Sequence, residues 1–231
     1  MNYKLSALAG KIIAIDGPAG SGKSTTARLL ASKIGYRFLD TGAMYRVVAW
    51  VALKKGISVD DGNSLELISR QVEINFEMDG ETNRVFLFGK EMTDEIRTME
   101  VTKAVSPISV HAGVRTAMVK RQRVMAQNGS VVAEGRDTTS VVFPNADLKI
   151  YLDATIEERA QRRLLELARR GISTTFEELK REIYRRDKRD SKRENSPLTK
   201  TADSVVIDTT ALTIEGQVDR IIKLIKARFL N

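Results

Sequence analysis

Short aliphatic runs recur along the chain, and most are followed by a stretch with helical spacing. Lys11-Ile12-Ile13-Ala14-Ile15 is apolar and β-branched, the pattern of a strand buried on both faces of a parallel sheet. It leads through a Gly-rich turn, Asp16 to Ser24, into a helical pattern from Lys23 to about Ile34. Leu29, Leu30 and Ile34 supply its apolar face, and Gly35 closes it as a C-cap. Arg37-Phe38-Leu39 predicts a second strand, and Met44 to Lys54 a second helix stopped by Gly56. Ser130-Val131-Val132-Ala133 and Leu148-Lys149-Ile150-Tyr151-Leu152 are further buried strands, and Ser204-Val205-Val206-Ile207 is the last. The final helix, about Ile214–Phe229, carries Val218, Ile221, Ile222 and Ile225 on one side. Strands alternating with helices predict an α/β fold, a parallel sheet with helices on both faces.

Two segments break this rhythm. Val72, Ile74 and Phe76 alternate with polar residues, Arg84 to Phe88 reads as a strand, and Asp79-Gly80 marks a turn between them. This predicts a small antiparallel sheet inserted into the α/β chain, followed by a helix from about Val114 to Gln127. Later, an arginine-rich helical pair, roughly Ile156–Arg170 and Phe176–Arg189, is broken at Gly171.

Charge sharpens that second segment. The chain has a formal charge of +8, and residues 159–193 hold 13 Lys+Arg against 6 Asp+Glu, so one segment carries almost all of it. A concentrated block of arginines suits a polyanionic ligand. The 231 residues fit one domain with inserted pieces. No apolar run approaches the ~20 residues that span a bilayer. Met1 to Lys4 lack an apolar signal segment, and there is no cysteine for a disulfide or a thiolate metal site. These features predict a cytoplasmic enzyme with no membrane partner.

Gly17-Pro18-Ala19-Gly20-Ser21-Gly22-Lys23-Ser24 fits G-x-x-x-x-G-K-[ST], between a strand and a helix as that motif requires. Its glycines let backbone N–H groups wrap phosphate oxygens, and the helix aims its positive end at the same anion. Lys23 can reach the β- and γ-phosphates, and the Ser24 hydroxyl can ligate Mg²⁺. The nucleotide-binding stretch thus runs through these residues to Thr25. Asp40, Glu134 and Asp16 are candidate acids for organising the metal and its waters at the carboxyl edge of the sheet.

The loop implies a nucleoside triphosphate but not the reaction. Three other segments add to it: Leu39-Asp40-Thr41-Gly42-Ala43-Met44-Tyr45-Arg46, then Glu134-Gly135-Arg136-Asp137, then Arg185 to Arg193. With Glu95-Ile96-Arg97-Thr98 and Val142-Phe143-Pro144 they stand in an order that resembles the bacterial cytidylate kinases. These are the CMP/dCMP kinase branch of the nucleoside monophosphate kinases. The resemblance runs from about Ile12 to the last helix. It implies a P-loop core over about residues 1–59, 128–155 and 195–231, a monophosphate-binding insert over about 60–127 and a lid over about 156–194. It implies ATP as donor with Mg²⁺, and CMP or dCMP as acceptor.

Position by position, Arg46, Arg136 and Arg193 match residues that hold the acceptor phosphate. Ser106, Arg115 and Asp137 match those that read the cytosine edge, and Arg186 and Asp190 match ribose contacts. Thr41 stands where the family often has Ser, and Ser24 where some members have Gly. Catalysis is expected from Lys23, Arg136, Arg186, Arg193 and the lid residue Arg162, by positioning and charge neutralisation rather than by a nucleophilic side chain. Lid closure is expected to bring Arg159, Arg162, Arg163, Arg186 and Arg189 onto the transferring phosphoryl group. His111, the only histidine, is expected to be structural or exposed rather than a general base. The competing readings are a kinase acting on UMP, AMP or a small alcohol, and a nucleic-acid-binding P-loop ATPase. The lid's charge is interleaved with acids and poor in aromatics, which argues against a nucleic-acid partner. A monomer acting on small molecules is the expectation.

Overall fold

The computed structural model describes residues 8–80, 82–169 and 171–230. β1 (Ile12–Asp16) runs into α1 (Lys23–Ile34), and β2 (Arg37–Asp40) into α2 (Thr41–Lys54). The insert then comprises α3 (Gly62–Gln71), three antiparallel strands β3 (Ile74–Asp79), β4 (Thr82–Leu87) and β5 (Lys90–Glu91), and the helices α4 (Met99–Ile108) and α5 (Ala112–Met125). The chain returns through β6 (Val131–Gly135) and β7 (Leu148–Asp153) and leaves again as the pair α6 (Ile156–Arg169) and α7 (Phe176–Lys192). It closes with β8 (Val205–Asp208) and α8 (Ile214–Phe229). The N-terminal segment Met1–Lys4 and Arg170, the expected end of the first lid helix, lie outside the described residues.

The main sheet is parallel, in the order β2-β6-β1-β7-β8, and the insert sheet is β3-β4-β5. Both match the expected fold class. Alternate residues of the parallel strands serve two cores. Ile13, Ile15, Val132, Ile150 and Ile207 face Leu30 of α1 and Ile221 of α8. Leu39, Val131 and Ala133 face the other way, onto Met44, Val47 and Val48 of α2. That second core continues without a break into the insert, through Leu65, Ile74, Ile96 and Met118. The α6–α7 pair has a small core of its own, Ala160, Leu167, Leu179 and Ile183. It is the part of the described chain least tied to the rest by apolar packing.

Several boundaries differ from the sequence expectation, each for a local reason. α2 begins at Thr41, not Met44, because the Asp40 side chain caps it by accepting from the Ala43 N–H at 2.8 Å. α3 and α4 were not expected. α3 is short, with only Leu65, Ile68 and Ser69 buried, and α4 carries Pro107 in its last turn. Their starts are set by the caps Asp61 and Thr98. β4 stops at Leu87 because Phe88 turns out of the ladder with φ 50°. α7 runs three residues past Arg189, from a capping box formed by Thr175 and Glu178.

One buried polar group joins strand ends that the apolar cores do not. Asp16, 0% exposed, ends β1. Its carboxylate accepts from the N–H groups of Thr138 (2.9 Å) and Thr139 (2.7 Å) and from both their hydroxyls. The π-helical turn Thr138–Val142 after β6 is thereby clamped to the start of the Gly-rich loop. Removing this acceptor strands two buried N–H groups, each worth about 1–3 kcal/mol. Asp16→Ala is expected to lose roughly 2–6 kcal/mol of stability on that basis, read by urea denaturation with the m-value checked for two-state behaviour. An unchanged midpoint would show that the clamp adds nothing to the fold.

Candidate active site

The carboxyl ends of the parallel strands converge on one cleft of about 940 Å³. At one end lies the Gly-rich loop. Gly17 is required there because a Cβ would come 2.2 Å from the Leu152 carbonyl oxygen of the neighbouring strand. Gly22, at φ 87°, turns the chain into α1 in a left-handed conformation. α1 has no side-chain N-cap. Its first-turn N–H groups therefore face the cleft with the positive end of the helix dipole, which suits a phosphate.

Lys23 is buried at this end, with its Nζ donating to the Pro18 carbonyl at 3.2 Å. Burial, together with the nearby Arg136 charge, lowers its pKa to about 7. Ser24 donates its hydroxyl to Glu134 Oε1 at 2.7 Å. Burial and the charge of Asp40 push the Glu134 carboxyl up to about 7. A site that lowers a lysine and raises a glutamate carries unspent polar capacity of both signs. It suits a polyphosphate beside the lysine and a cation beside the carboxylate. The Ser24 hydroxyl and the Glu134 carboxylate form an all-oxygen pair of the kind Mg²⁺ accepts. Among the described residues no cluster of three or more acidic, His or Cys side chains could hold a metal.

Two of the expected metal acids have other work. All the capacity of Asp16 is spent on Thr138 and Thr139, behind the loop, so it is not a metal ligand. Asp40 lines the cleft, but one oxygen caps α2 and the other lies 3.8 Å from Arg97. Thr41 spends its hydroxyl on the Glu134 carbonyl, at 2.7 Å, and so fixes the strand end that carries Glu134.

The middle of the cleft holds the arginines. Arg136 donates to Asp190 at 2.9 Å, and Arg186 lies 4.0 Å from the same carboxylate. Burial and the Arg136 charge bring the Arg186 pKa down to about 10. Arg46 is held by the Thr102 hydroxyl at 2.8 Å. Two guanidinium groups share the Asp190 carboxylate and Arg46 lines the same cleft, which leaves an excess of positive charge that an incoming phosphate would neutralise.

At the far end Arg115 and Asp137 form a buried ion pair, with Arg193 3.6 Å from the other Asp137 oxygen. Ser106 lines this end too. The pair stacks beside Tyr45, whose ring centre is 5.5 Å from the Arg115 guanidinium. Burial pushes the Tyr45 phenol up to about 12. Tyr45 is a site residue that the sequence does not signal. Its place one residue before Arg46 on an apolar helix gave no signal beyond core packing. A carboxylate acceptor beside an arginine donor, against an aromatic face, can recognise a planar ring bearing an amine next to acceptors.

The lid arginines divide. Arg162, Arg163, Arg186 and Arg193 line the cleft. Arg162 also reaches Ser21 O at 3.4 Å and the hydroxyl of Thr209 at 3.1 Å, so it sits directly on the loop. Arg159, expected to reach the phosphoryl group, is instead buried behind the loop. It donates to Ala154 O, Ala19 O and Asp187, the last at 2.6 Å. Arg189 lies outside the cleft, on another face of α7. His111 sits at the N-terminus of α5, 2.8 Å from the Val59 carbonyl, in the structural role expected of it.

A likeness to known proteins spans the whole of this arrangement. A protein from Eubacterium ventriosum whose function is uncharacterised shares the fold, with a TM-score of 0.51, 13% identity, and coverage of 94% of this chain and 99% of that one. Much closer in sequence is the cytidylate kinase of a Geobacillus strain, 47% identical over 216 residues, covering 94% of this chain and 96% of the relative. The cytidylate kinase of Leuconostoc mesenteroides is 46% identical over 214 residues, covering 93% and 96%. The family model for cytidylate kinase matches residues 13–227, from the first strand to the last helix and therefore through every part of the cleft. This chain belongs to the cytidylate kinase family.

Proposed function

We propose that the two ends of the cleft hold two nucleotides, and that the chain transfers the γ-phosphoryl group of ATP to CMP and dCMP. The observation that carries this is the single cleft lined at once by the Lys23 loop and by the Arg115–Asp137 pair, with Arg46, Arg136 and Arg186 between. The curated relatives are named for the same reaction. ATP lies with its phosphates on Gly17 to Thr25. CMP lies with its base against Asp137, Arg115 and Ser106, its sugar near Asp190 and Arg186, and its phosphate among Arg46, Arg136 and Arg193. An oxygen of the CMP phosphate then attacks the γ-phosphorus in line. The new O–P bond forms as the bond to the β-phosphate oxygen breaks, and ADP leaves.

No side chain need accept a proton in this scheme. Arg136 and Arg186 offset the repulsion between the approaching phosphates, Lys23 and Arg162 hold the donor, and the α6–α7 lid excludes water that would otherwise take the phosphoryl group. Ser24 and Glu134 would hold Mg²⁺, which would supply charge neutralisation on the donor phosphates. No described helix is long and apolar enough to cross a membrane, and a monomeric cytoplasmic enzyme, drawing on cytoplasmic ATP, completes the reading.

Lys23→Met is expected to lower kcat by ~10²–10³-fold in a coupled ADP assay. Its melting temperature should hold or rise, because a buried cation is replaced by an apolar chain of similar size. Near-normal turnover would remove the loop from the reaction. Proton linkage gives a second test. The lowered pKa of free Lys23, about 7, means that a bound triphosphate must raise it. ATP binding at about pH 8 should therefore take up most of one proton, and affinity should weaken as pH rises above that pKa. Calorimetry in buffers of different ionisation enthalpy reads the uptake, and Lys23→Met should abolish it. Asp137→Ala should cost roughly 1–3 kcal/mol of discrimination between CMP and UMP. Equal kcat/KM ratios in mutant and wild type, over an acceptor panel, would take Asp137 out of the base site.

A further inference from the structure

A second recess of about 600 Å³ opens between α4 of the insert and α7 of the lid. It shares two lining residues with the main cleft, Ser106 and Arg186. The recess therefore adjoins the main cleft at these two residues, away from the Gly-rich loop, none of whose residues lines it.

Its walls are basic. Arg181, Arg185 and Arg189 stand at i, i+4 and i+8 along one face of α7, and Lys103 faces them from α4. With Arg186 they make five cations against the two carboxylates of Glu178 and Glu182. Glu178 is already engaged in capping α7 at Thr175. Among the described residues, the ion pairs of this region join Arg136 and Arg186 to Asp190, Arg193 to Asp137 and Arg159 to Asp187. None takes in Arg181, Arg185, Arg189 or Lys103. A row of like charges at i,i+4 spacing weakens its own helix by a few tenths of a kcal/mol per pair. An anion passing along the row offsets that repulsion, and partly enclosed walls focus the field.

We propose that this mouth is the approach route of the nucleoside monophosphate, and that Lys103 and Arg185 steer its phosphate dianion inward to Arg186. The inference rests on the two-nucleotide reading above. It assigns the acceptor its own way in, on the α4–α7 flank, distinct from the loop end that takes ATP. The sequence is electrostatic and involves no bond change: the phosphate exchanges solvent for Lys103 and Arg185, then for Arg186 and Arg136.

The test is the double variant Lys103→Gln/Arg185→Gln. At low ionic strength its kcat/KM for CMP should fall roughly 3- to 10-fold. The kcat at saturation and the KM for ATP should match wild type, and the difference should vanish in high salt. Arg185→Lys alone, which keeps the charge, should behave as wild type. Removing two charges from the far side of the molecule, Arg220→Gln/Lys223→Gln on α8, should leave CMP kinetics unchanged, and thermal melts confirm that each variant is folded. The route is overturned by any of three results: CMP kinetics like wild type at every ionic strength, an equal loss for ATP, or a fall in saturated kcat, which would mark the face as part of lid closure. Wild-type turnover of CMP separates the two readings. Its absence sinks the proposed reaction, whereas its presence with an unaffected double variant sinks the side mouth alone.

Discussion

The Asp16 carboxylate, buried between two strand ends, is the constraint on which the active cleft depends. It lies one residue before the Gly-rich loop and grips Thr138 and Thr139, one residue after Arg136-Asp137. Burial raises its pKa, and the four hydrogen bonds from the two threonines oppose that shift. The Gly-rich loop and the turn after Arg136-Asp137 are thus tied to a single group. Neither can shift along the sheet without unmaking bonds that no water replaces. Parallel pairing reinforces the tie. Asp16 stands opposite Gly135, and Asp40 opposite Glu134, so the chemistry of three strands ends at one level.

From that fixed edge the cleft is built with charge in excess. Lys23, Glu134, Arg136 and Arg186 line one cleft, each partly or fully desolvated by the protein. Their proton affinities move in the directions that burial and crowding of charges impose. In Arg136 burial is outweighed by the carboxylates of Asp190 and Glu134, and its pKa rises. Phosphates would relieve Lys23 and Arg186, and a cation would relieve Glu134. Such a site is costly when empty and favourable when full, which is the condition under which binding energy can be used for catalysis. The α6–α7 pair has its own small apolar core and a polar tie through Arg159 to the loop carbonyl of Ala19.

The parallel sheet, its flanking helices, the insert and the arginine-rich pair were all legible in the sequence, because period-2 and period-3.6 patterns report burial directly. The loop was legible because its glycines and Lys23-Ser24 are adjacent in the chain. α3 and α4 were not, since few of their residues are buried and their starts are set by single capping side chains. Asp16 and Arg159 were misread for a related reason. An acid next to the phosphate loop and an arginine in an arginine-rich helix both look functional in sequence, and only the fold reveals that each is spent on partners more than a hundred residues distant.

What the sequence by itself determined was the set of contacts made by neighbours in the chain: the strand–loop–helix unit from Ile12 to Ile34, the amphipathic lid pair and the order of the motifs. Only the tertiary structure decided which charges share a space. It brought Arg115 onto Asp137, joined Arg136 to Asp190, seated Tyr45 beside Arg115 and set Arg185 and Lys103 on the walls of one recess. Those choices follow from strand register and helix packing over long separations in the chain. Whether a charged side chain is buried, paired or left facing solvent depends on residues that local sequence does not contain.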